Sequence, residues 1–273
     1  MSVSLTNLDK LLWKKEKISK GDLIEYYAAI SRTILPYLKA RPLVMHRFPD
    51  GITGESFYQK EAGKVPSFVK THLVKKVNYI LVDNAKTLLY VANLASIELH
   101  PFHSRVKNLE KPDYLIFDLD PESISFDAVV ETAQVIHDQL EKIHMPNFCK
   151  TSGGDGLHIY VPLKGKYTYP QVKEFAMGVA ALVHEELPEI TSLERLPRKR
   201  QKKVYIDTLQ NEHGQTVVAP YSVRGRPGAT VSTPLEWKEV KPGLDPTQFT
   251  LRTTLKRLAK KGDLFKGMLK MRR

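Results

Sequence analysis

The chain has 273 residues, of which 42% are hydrophobic and 26% charged, an ordinary composition for a soluble globular protein. Its formal net charge of +12 favours a polyanionic partner, either nucleic acid or an anionic membrane surface. A lone cysteine, Cys149, excludes an internal disulfide. The N-terminal residues lack a signal peptide's apolar segment, and no apolar run nears the roughly 18 residues of a membrane span. We therefore expect a cytoplasmic protein.

The N-terminal part, about residues 1–105, is predicted to combine helices with short strands. Apolar residues recur at helical spacing over 20–40, with Asp22 as the expected N-cap. Runs of strand-forming residues bounded by turn residues predict short strands at 43–48 and 55–59. They also predict a hairpin whose strands are 78–83 and 88–92 and whose turn is 84–86. A short helix that leads into a strand is predicted over 93–100.

The segment from about 106 to 240 alternates predicted strands and helices. Strands are expected at 114–120, 148–151, 157–162 and 203–209, and an extended piece at 216–222. Helices are expected at 125–144, where Ser125 begins the helix, and at 170–187, where Pro170 lies near the first turn. A basic helical tail follows from 245. Neither a repeat nor a low-complexity linker interrupts the chain. The pattern predicts one compact α/β unit rather than two separate domains, with helices packed against a sheet.

Two aspartates end the apolar strand YLIFDLDPE. Residues two apart on a strand point to the same face, with α-carbons about 6–7 Å apart, so Asp118 and Asp120 repel each other unless water or a cation lies between them. The pattern fits either a solvated strand end, closed by Pro121, or a divalent-metal site. A third carboxylate, Asp207 in KVYIDTLQN, is available from a second strand. Three such carboxylates are typical of a phosphoryl-transfer metal centre.

A glycine-rich turn lies in KTSGGDGLHIY, residues 150–160. Its three glycines could turn backbone N–H groups toward one anion, with Ser152 and His158 as further donors. The alternative is a tight hairpin with a half-buried histidine. The turn lacks both the P-loop and the dinucleotide-binding patterns, which excludes those two kinds of phosphate site.

Basic residues cluster at 195–203, just before the Asp207 strand, and Arg224 and Arg226 lie in a glycine-containing turn. Arginines near a carboxylate metal site would neutralise a triphosphate. The basic residues of the tail are expected to form a solvated face: Lys256, Arg257, Lys260, Lys261, Lys266, Lys270, Arg272 and Arg273. Of the adjacent Phe57 and Tyr58, at least one could be exposed to stack on a base, unless both are structural.

Four ordered segments together resemble the polymerase domain of bacterial ligase D, which belongs to the archaeo-eukaryotic primase superfamily and acts in non-homologous end joining. They are YLIFDLDPE, KTSGGDGLHIYVPL, KVYIDTLQN and APYSVRGRPGATVSTPLEW. SKGDLIEYY, RPLVMHRFPDGI and ESFYQK are similar to the family's opening segments. The resemblance covers nearly the whole chain. It implies a single α/β (α+β) domain with mixed or antiparallel central sheets flanked by helices and a primase-polymerase, RRM-like catalytic core.

The resemblance also implies roles for individual residues. Asp118, Asp120 and Asp207 would hold two Mn²⁺ or Mg²⁺ ions. The incoming nucleotide (NTP or dNTP) would be contacted by Ser152, His158, His100, Arg200, Gln210 and Arg224. Phe57 and Tyr58 would stack on the template, and Lys20 would recognise the 5′-phosphate of a gap. The implied partners are gapped or broken DNA, Ku and a DNA ligase, with no membrane partner.

Two residues depart from the family's pattern. Asp155 stands in the glycine turn where a lysine is usual, and His46 stands where a lysine or arginine is more usual. The implied function is template-directed filling of short gaps, with ribonucleotides accepted and manganese favoured. De novo priming, a metal-dependent nuclease and a non-catalytic DNA-end-binding module are the alternatives.

Overall fold

The structure is a computed structural model that describes residues 3–270. The chain forms two compact units, each assembled from three segments. The first unit comprises 3–107, 216–233 and 247–263, and the second comprises 108–215, 234–246 and 264–270. The assignment of the whole chain to a single domain stays a prediction. None of the described helices is long and apolar enough to cross a bilayer.

The described residues form thirteen strands and seven α-helices. The strands are β1 (Leu11–Trp13), β2 (Ile18–Ser19), β3 (Pro42–Arg47), β4 (Phe57–Gln59), β5 (Lys70–Val74), β6 (Val77–Leu81), β7 (Ser96–Pro101), β8 (Tyr114–Pro121), β9 (Phe148–Thr151), β10 (Leu157–Pro162), β11 (Thr191–Ser192), β12 (Val204–Asp207) and β13 (Pro234–Leu235). The helices are α1 (Lys20–Ala29), α2 (Ser31–Leu38), α3 (Ala85–Asn93), α4 (Phe126–Lys142), α5 (Tyr169–Glu186), α6 (Leu251–Lys261) and α7 (Lys266–Lys270).

The first unit is built on an antiparallel sheet in which β3 is the central strand. Strand β7 pairs with one edge of β3, and β6 and β4 share the other edge, with β5 beyond β6. Helix α1 packs against α3 and α6. Its buried tyrosines reach backbone carbonyls, because a buried hydroxyl needs a partner: Tyr26 donates to Tyr221 O and Tyr27 to Ile97 O, at 2.8 and 2.7 Å.

The second unit is built on a six-stranded sheet in the order β11-β12-β8-β10-β9-β13. All its pairs are antiparallel except β11 with β12. Helices α4 and α5 pack against each other and against β8. Both helices and strands β9 and β10 agree with the sequence prediction, as does the N-cap Ser125, whose hydroxyl accepts from Ala128 N. The mixed α+β fold with antiparallel sheets flanked by helices is confirmed.

Helix α1 differs from its prediction at both ends. Ser19 is the N-cap and Asp22 the third helical residue, because the two residues form a reciprocal capping box: Asp22 N donates to Ser19 Oγ at 3.1 Å and Ser19 N donates to Asp22 Oδ2 at 2.7 Å. The helix ends before Ile30, whose φ of −91° and ψ of 3° are not helical. Buried apolar residues continue through this break, so periodicity could not reveal it.

The predicted hairpin over 78–83 and 88–92 is wrong. Asn84 was interpreted as a turn residue, but its side chain accepts a hydrogen bond from Thr87 N at 2.9 Å and caps α3. Asparagine favours turns and N-caps by the same side-chain chemistry, so its presence does not distinguish them. The helix predicted at the start of 93–100 is the end of α3, and strand β7 follows.

Two other predicted segments contain short elements. In the extended piece predicted at 216–222, Thr216 forms an isolated bridge with Phe102. The tail, predicted to be helical, contains α6 and α7, which are separate because Gly262, at φ 69°, ends α6. Arg272 and Arg273 lie outside the described residues.

Candidate active site

The three predicted metal ligands meet on one face of the second unit's sheet. Strands β8 and β12 pair so that Asp207 lies directly opposite Asp118, and Asp120 lies opposite Tyr205. Directly opposed residues of an antiparallel pair have β-carbons about 4.5–5.5 Å apart. Leu115, Phe117 and Leu119 point to the other face, where Leu115 lines a pocket with residues of α5. Because side chains alternate along β8, the carboxylates lie on one face of the sheet and these apolar residues pack on the other.

Asp207 is held in an environment that disfavours its charge. Burial, and next the charge of Asp118, raise its pKa above the usual range. Three donors oppose that shift: Leu209 N at 2.8 Å, and the Tyr205 hydroxyl and Gln210 Nε2, each at 3.4 Å. Two directly opposed carboxylates, one of them with a raised pKa, form a site whose negative charge a cation would balance.

The buried Asn211 fixes the position of Asp207 along β8. Strand β12 stops at Asp207, and the 3₁₀ turn Leu209–Asn211 follows. Beyond that point the Asn211 side chain takes the place of a neighbouring strand: it accepts from Ile116 N at 2.9 Å and donates to Ile116 O at 2.7 Å. Both backbone groups of Ile116 are therefore satisfied, and the register between Asp118 and Asp207 is maintained.

His158 lies between one of the aspartates and a buried lysine. Strand β10 places it opposite Asp118 on one side and opposite Lys150 on the other. Its Nε2 lies 3.0 Å from Asp118 Oδ1, and its Nδ1 lies 2.7 Å from Lys150 Nζ. Because an ammonium group can only donate, Nδ1 accepts from Lys150, which leaves a proton on Nε2, facing Asp118 Oδ1. The contact of His158 with a triphosphate stays a prediction.

The glycine turn joins β9 to β10 and is organised by Ser152. The Ser152 hydroxyl accepts hydrogen bonds from Gly154 N at 3.0 Å and Gly156 N at 3.1 Å, and Ser152 N donates to Gly156 O at 2.9 Å. Gly156 lies so close to β8 that a β-carbon there would collide with the carbonyl oxygen of Leu119. The turn therefore lies against the segment that carries Asp118 and Asp120.

Arg200 stacks on the ring of Tyr205, which belongs to the strand that carries Asp207. Its guanidinium carbon lies 4.0 Å from the centroid of the Tyr205 ring, and it donates to the carbonyls of Glu194 and Arg195 at 3.2 and 3.0 Å. Tyr205 is the cross-strand partner of Asp120. The basic run thus holds one of its arginines beside the carboxylate face.

The other predicted nucleotide-binding residues, His100 and Arg224, belong to the first unit. Both contact Glu98, which is almost fully buried: His100 Nε2 lies 2.9 Å from its Oε2 and Arg224 Nε lies 3.2 Å from its Oε1. The backbone N–H of Gly225 also donates to Oε1 at 3.0 Å. Glu98 therefore fixes the position of both predicted residues.

The predicted DNA-binding residues also lie in the first unit. Tyr58 and Phe57 are exposed, at 58% and 46%, which is unusual for adjacent aromatic residues. Tyr58 stacks on His46 with ring centroids 4.0 Å apart, and Arg47 lies over the Phe57 ring. Lys20 is mostly buried, and burial followed by repulsion from Lys10 lowers its pKa.

Sequence reasoning did not identify two charged residues that hold predicted site residues in position. Lys150 orients His158, and Glu98 holds His100 and Arg224. Each is a charged residue next to apolar neighbours within a short strand, in FCKT and SIELHP. Because buried charges are rare without a partner, that pattern is the signal that could have identified them.

The comparisons with known proteins agree with this geometry. The family model described as LigD, primase-polymerase domain, matches residues 19–265, which include every predicted site residue. The chain belongs to this family. The LigD primase-polymerase match is supported by a solved structure, the polymerase domain from Mycobacterium tuberculosis ligase D in complex with DNA. That structure is 29% identical and covers 98% of both chains, with a TM-score of 0.89.

Curated LigD proteins are similar to this chain over nearly all of its length. The bifunctional non-homologous end joining protein LigD of Bacillus subtilis is 34% identical over 263 residues, which are 95% of this chain and 43% of that protein. The multifunctional non-homologous end joining protein LigD of Pseudomonas aeruginosa is 33% identical over 262 residues, 94% of this chain and 31% of that protein. The chain therefore spans less than half the length of these relatives.

Proposed function

We propose that the chain is a template-directed nucleotidyltransferase that fills short gaps or extends broken ends during double-strand-break repair by non-homologous end joining. The observation that carries the proposal is the meeting of Asp118, Asp120 and Asp207 on one sheet face, with Asp118 directly opposite Asp207. Family membership supports the assignment of these carboxylates to polymerase chemistry.

The carboxylate face fits two divalent ions, Mg²⁺ or Mn²⁺. Carboxylate oxygens are the ligands that these hard cations prefer, and a cation would offset the charge of Asp118 that, after burial, raises the pKa of Asp207. When bound, such ions would activate the primer 3′-hydroxyl and neutralise the triphosphate. Gln210, Leu209 N and Tyr205 hold Asp207 in orientation, while His158 directs one oxygen of Asp118.

Binding of an NTP or dNTP is assigned to Ser152, His158, His100, Arg200, Gln210 and Arg224. The imidazoles and guanidinium groups would balance charge on the leaving pyrophosphate, an electrostatic role that does not need a general base from the protein. Acceptance of ribonucleotides and a preference for manganese are part of the proposal. Its support is the resemblance of the four ordered segments to the ligase D polymerase domain.

The DNA substrate is proposed to be a gap or end that carries a 5′-phosphate. Support comes from the net charge of +12, from the exposed Phe57 and Tyr58, and from the M. tuberculosis relative, which is in complex with DNA. Lys20 would recognise the 5′-phosphate, whose charge would offset the burial of its ammonium group. Ku and a DNA ligase are the proposed protein partners, at the nucleoid in the cytoplasm.

A labelled gapped duplex with a 5′-phosphate, incubated with nucleotides and Mn²⁺ or Mg²⁺, tests the proposal. Extension of the primer by template-matched nucleotides is the expected result. Shortening of the label would instead indicate a nuclease, and retarded migration without any new product would indicate an end-binding module. An unprimed single strand in a parallel reaction separates gap filling from de novo priming.

A further inference from the structure

A second cluster of ligand-type side chains lies in the first unit and includes none of the three aspartates. It consists of His46, Glu98 and His100. Strand pairing places His46 opposite Glu98, and His100 follows Glu98 by two residues on the same face of β7. His46 Nδ1 lies 3.3 Å from Glu98 Oε2, and His100 Nε2 lies 2.9 Å from the same oxygen.

The Glu98 carboxylate is divided between two kinds of partner. Its Oε1 accepts from Gly225 N and lies beside Arg224 Nε, whereas its Oε2 faces the two imidazoles. One carboxylate oxygen is therefore held in place by the Gly225 N–H and Arg224, and the other is directed at the histidines.

Both imidazoles face Oε2. His100 Nε2 lies within hydrogen-bond distance of that oxygen, and a metal ion bound by both atoms would take the place of the proton between them. His46 Nε2 lies 3.1 Å from Ser56 Oγ, and the hydroxyl can accept from Nε2–H, which leaves the Nδ1 lone pair facing Glu98. Within residues 3–270, the buried His46 Nδ1 makes no hydrogen bond of normal geometry.

We propose that His46, Glu98 and His100 bind one borderline divalent transition-metal ion, with Zn²⁺ as the best fit. The three ligand atoms all lie within 4.8 Å of one another. A tetrahedral zinc ion with bonds of about 2.0–2.2 Å needs ligand atoms about 3.3–3.5 Å apart, so only small side-chain shifts are required. Two imidazoles and one carboxylate select against Mg²⁺ and leave a fourth position open.

Surrounding contacts hold the proposed ligands in position. Tyr58 stacks on the His46 ring and meets His100 edge-on, with centroids 4.0 and 5.7 Å away. Arg224 places a positive charge nearby, but that charge is paired with Oε1 rather than directed at the ligand oxygen. Ser56 and Gly225 complete the outer contacts, which is the arrangement that orients metal ligands in proteins.

Zinc binding by the full chain tests the inference without DNA or nucleotide, so its outcome is separate from that of the polymerase assay. Chelator-treated protein is dialysed against Zn²⁺ and compared with His46→Asn and with two controls, His72→Asn in the same unit and Asp207→Asn. Besides any ion at the carboxylate face, we expect one ion that the wild type and both controls bind, and an affinity for it at least about 10–100-fold weaker in His46→Asn. Equal affinity in His46→Asn, or no binding by the wild type, would overturn the proposal.

Co²⁺ provides a second measurement that reports ligand geometry. The wild type should develop the strong visible bands of four-coordinate Co²⁺, which Zn²⁺ abolishes, and should unfold at a higher temperature when Zn²⁺ is present. His46→Gln, which keeps a polar side chain at this partly exposed position, should show neither effect while retaining its metal-free unfolding temperature. Weak six-coordinate bands in the wild type would contradict the assignment.

Discussion

At the scale of single residues, the carboxylate face depends on neighbours that do not themselves bind a metal ion. Lys150 is fully buried, and its ammonium group donates to His158 Nδ1. This bond keeps the other ring nitrogen protonated and directed at Asp118. Lys150 is thus a positioning residue, because it acts on the aspartates through the histidine.

Replacement of Lys150 tests whether its role in orienting His158 can be distinguished from its contribution to the stability of the fold. In Lys150→Met the buried chain length is kept but His158 Nδ1 loses its donor, so the free energy of unfolding should fall by about 1–3 kcal/mol while the protein stays folded at the assay temperature. Primer extension should fall about 10–100-fold, as for other residues that orient metal ligands. ¹⁵N shifts of His158 should show a change of tautomer. Unchanged extension together with an unchanged tautomer would contradict the positioning role.

The exposed Tyr58 allows a test of base stacking. Tyr58→Ala should weaken binding to gapped DNA by about 1–3 kcal/mol, the usual contribution of one aromatic ring to base stacking. Tyr167→Ala is a matched control, because Tyr167 is also half exposed but belongs to the second unit and is not a predicted DNA contact. Fluorescence anisotropy measures both variants. Equal losses in the two would exclude a specific role for Tyr58.

At the scale of secondary-structure elements, the close approach of the glycine turn to β8 decides how the site is assembled. Gly156 has backbone of Leu119 where a β-carbon would lie, whereas Gly178 in α5 has open space there. The two glycines therefore have opposite expected responses to the same substitution.

Gly156→Ala should destabilise the protein by at least about 1–3 kcal/mol, because the turn must move away from β8. Gly178→Ala should stabilise it by about 0.5–1 kcal/mol, because alanine restricts the unfolded chain and suits a helix. Denaturant unfolding measures both free energies. A stable, active Gly156→Ala protein would show that the turn does not need this contact.

The elements also show which parts of the fold the sequence could predict. Strands β9 and β10 and helices α4 and α5 were predicted because regular apolar spacing and clear caps coincide there. Helix α3 was missed because Asn84 serves turns and N-caps alike, and the break at Ile30 was missed because buried residues continue across it. In both cases the local pattern permitted two structures, and packing selected one.

At the scale of the whole molecule, the excess of positive charge should appear in the salt dependence of DNA binding. The logarithm of the binding constant should fall linearly with the logarithm of salt concentration, by about 0.9 for each neutralised phosphate. Lys199→Gln and Lys202→Gln, in the basic run before β12, should each reduce the slope by about 1. Lys256→Gln in α6 is the control with no expected change. Equal slopes for all of these variants would contradict a role for the basic run.

Much of the candidate site could be predicted from the ordered segments, because the aspartates, the glycine turn and the arginines occur in a specific sequence. The pairing of the strands that bring these residues together could not be predicted from the segments. The position of Asp207 opposite Asp118 depends on strand register, which Asn211 helps to fix from beyond the end of β12. Likewise, the cluster of His46 with Glu98 and His100 exists only because β3 pairs with β7.

Single-nucleotide extension by Asp207→Asn tests the central claim most directly. The amide keeps the size of the side chain but removes the charge, and the loss of repulsion with Asp118 should leave the unfolding temperature no lower than in the wild type. Asp138→Asn, an exposed change on α4, is the control. On a gapped duplex with Mn²⁺, we predict normal extension by the control and a loss of about 100-fold or more for Asp207→Asn, equivalent to about 2.7 kcal/mol or more of transition-state stabilisation. Wild-type extension by a folded Asp207→Asn protein would contradict the account.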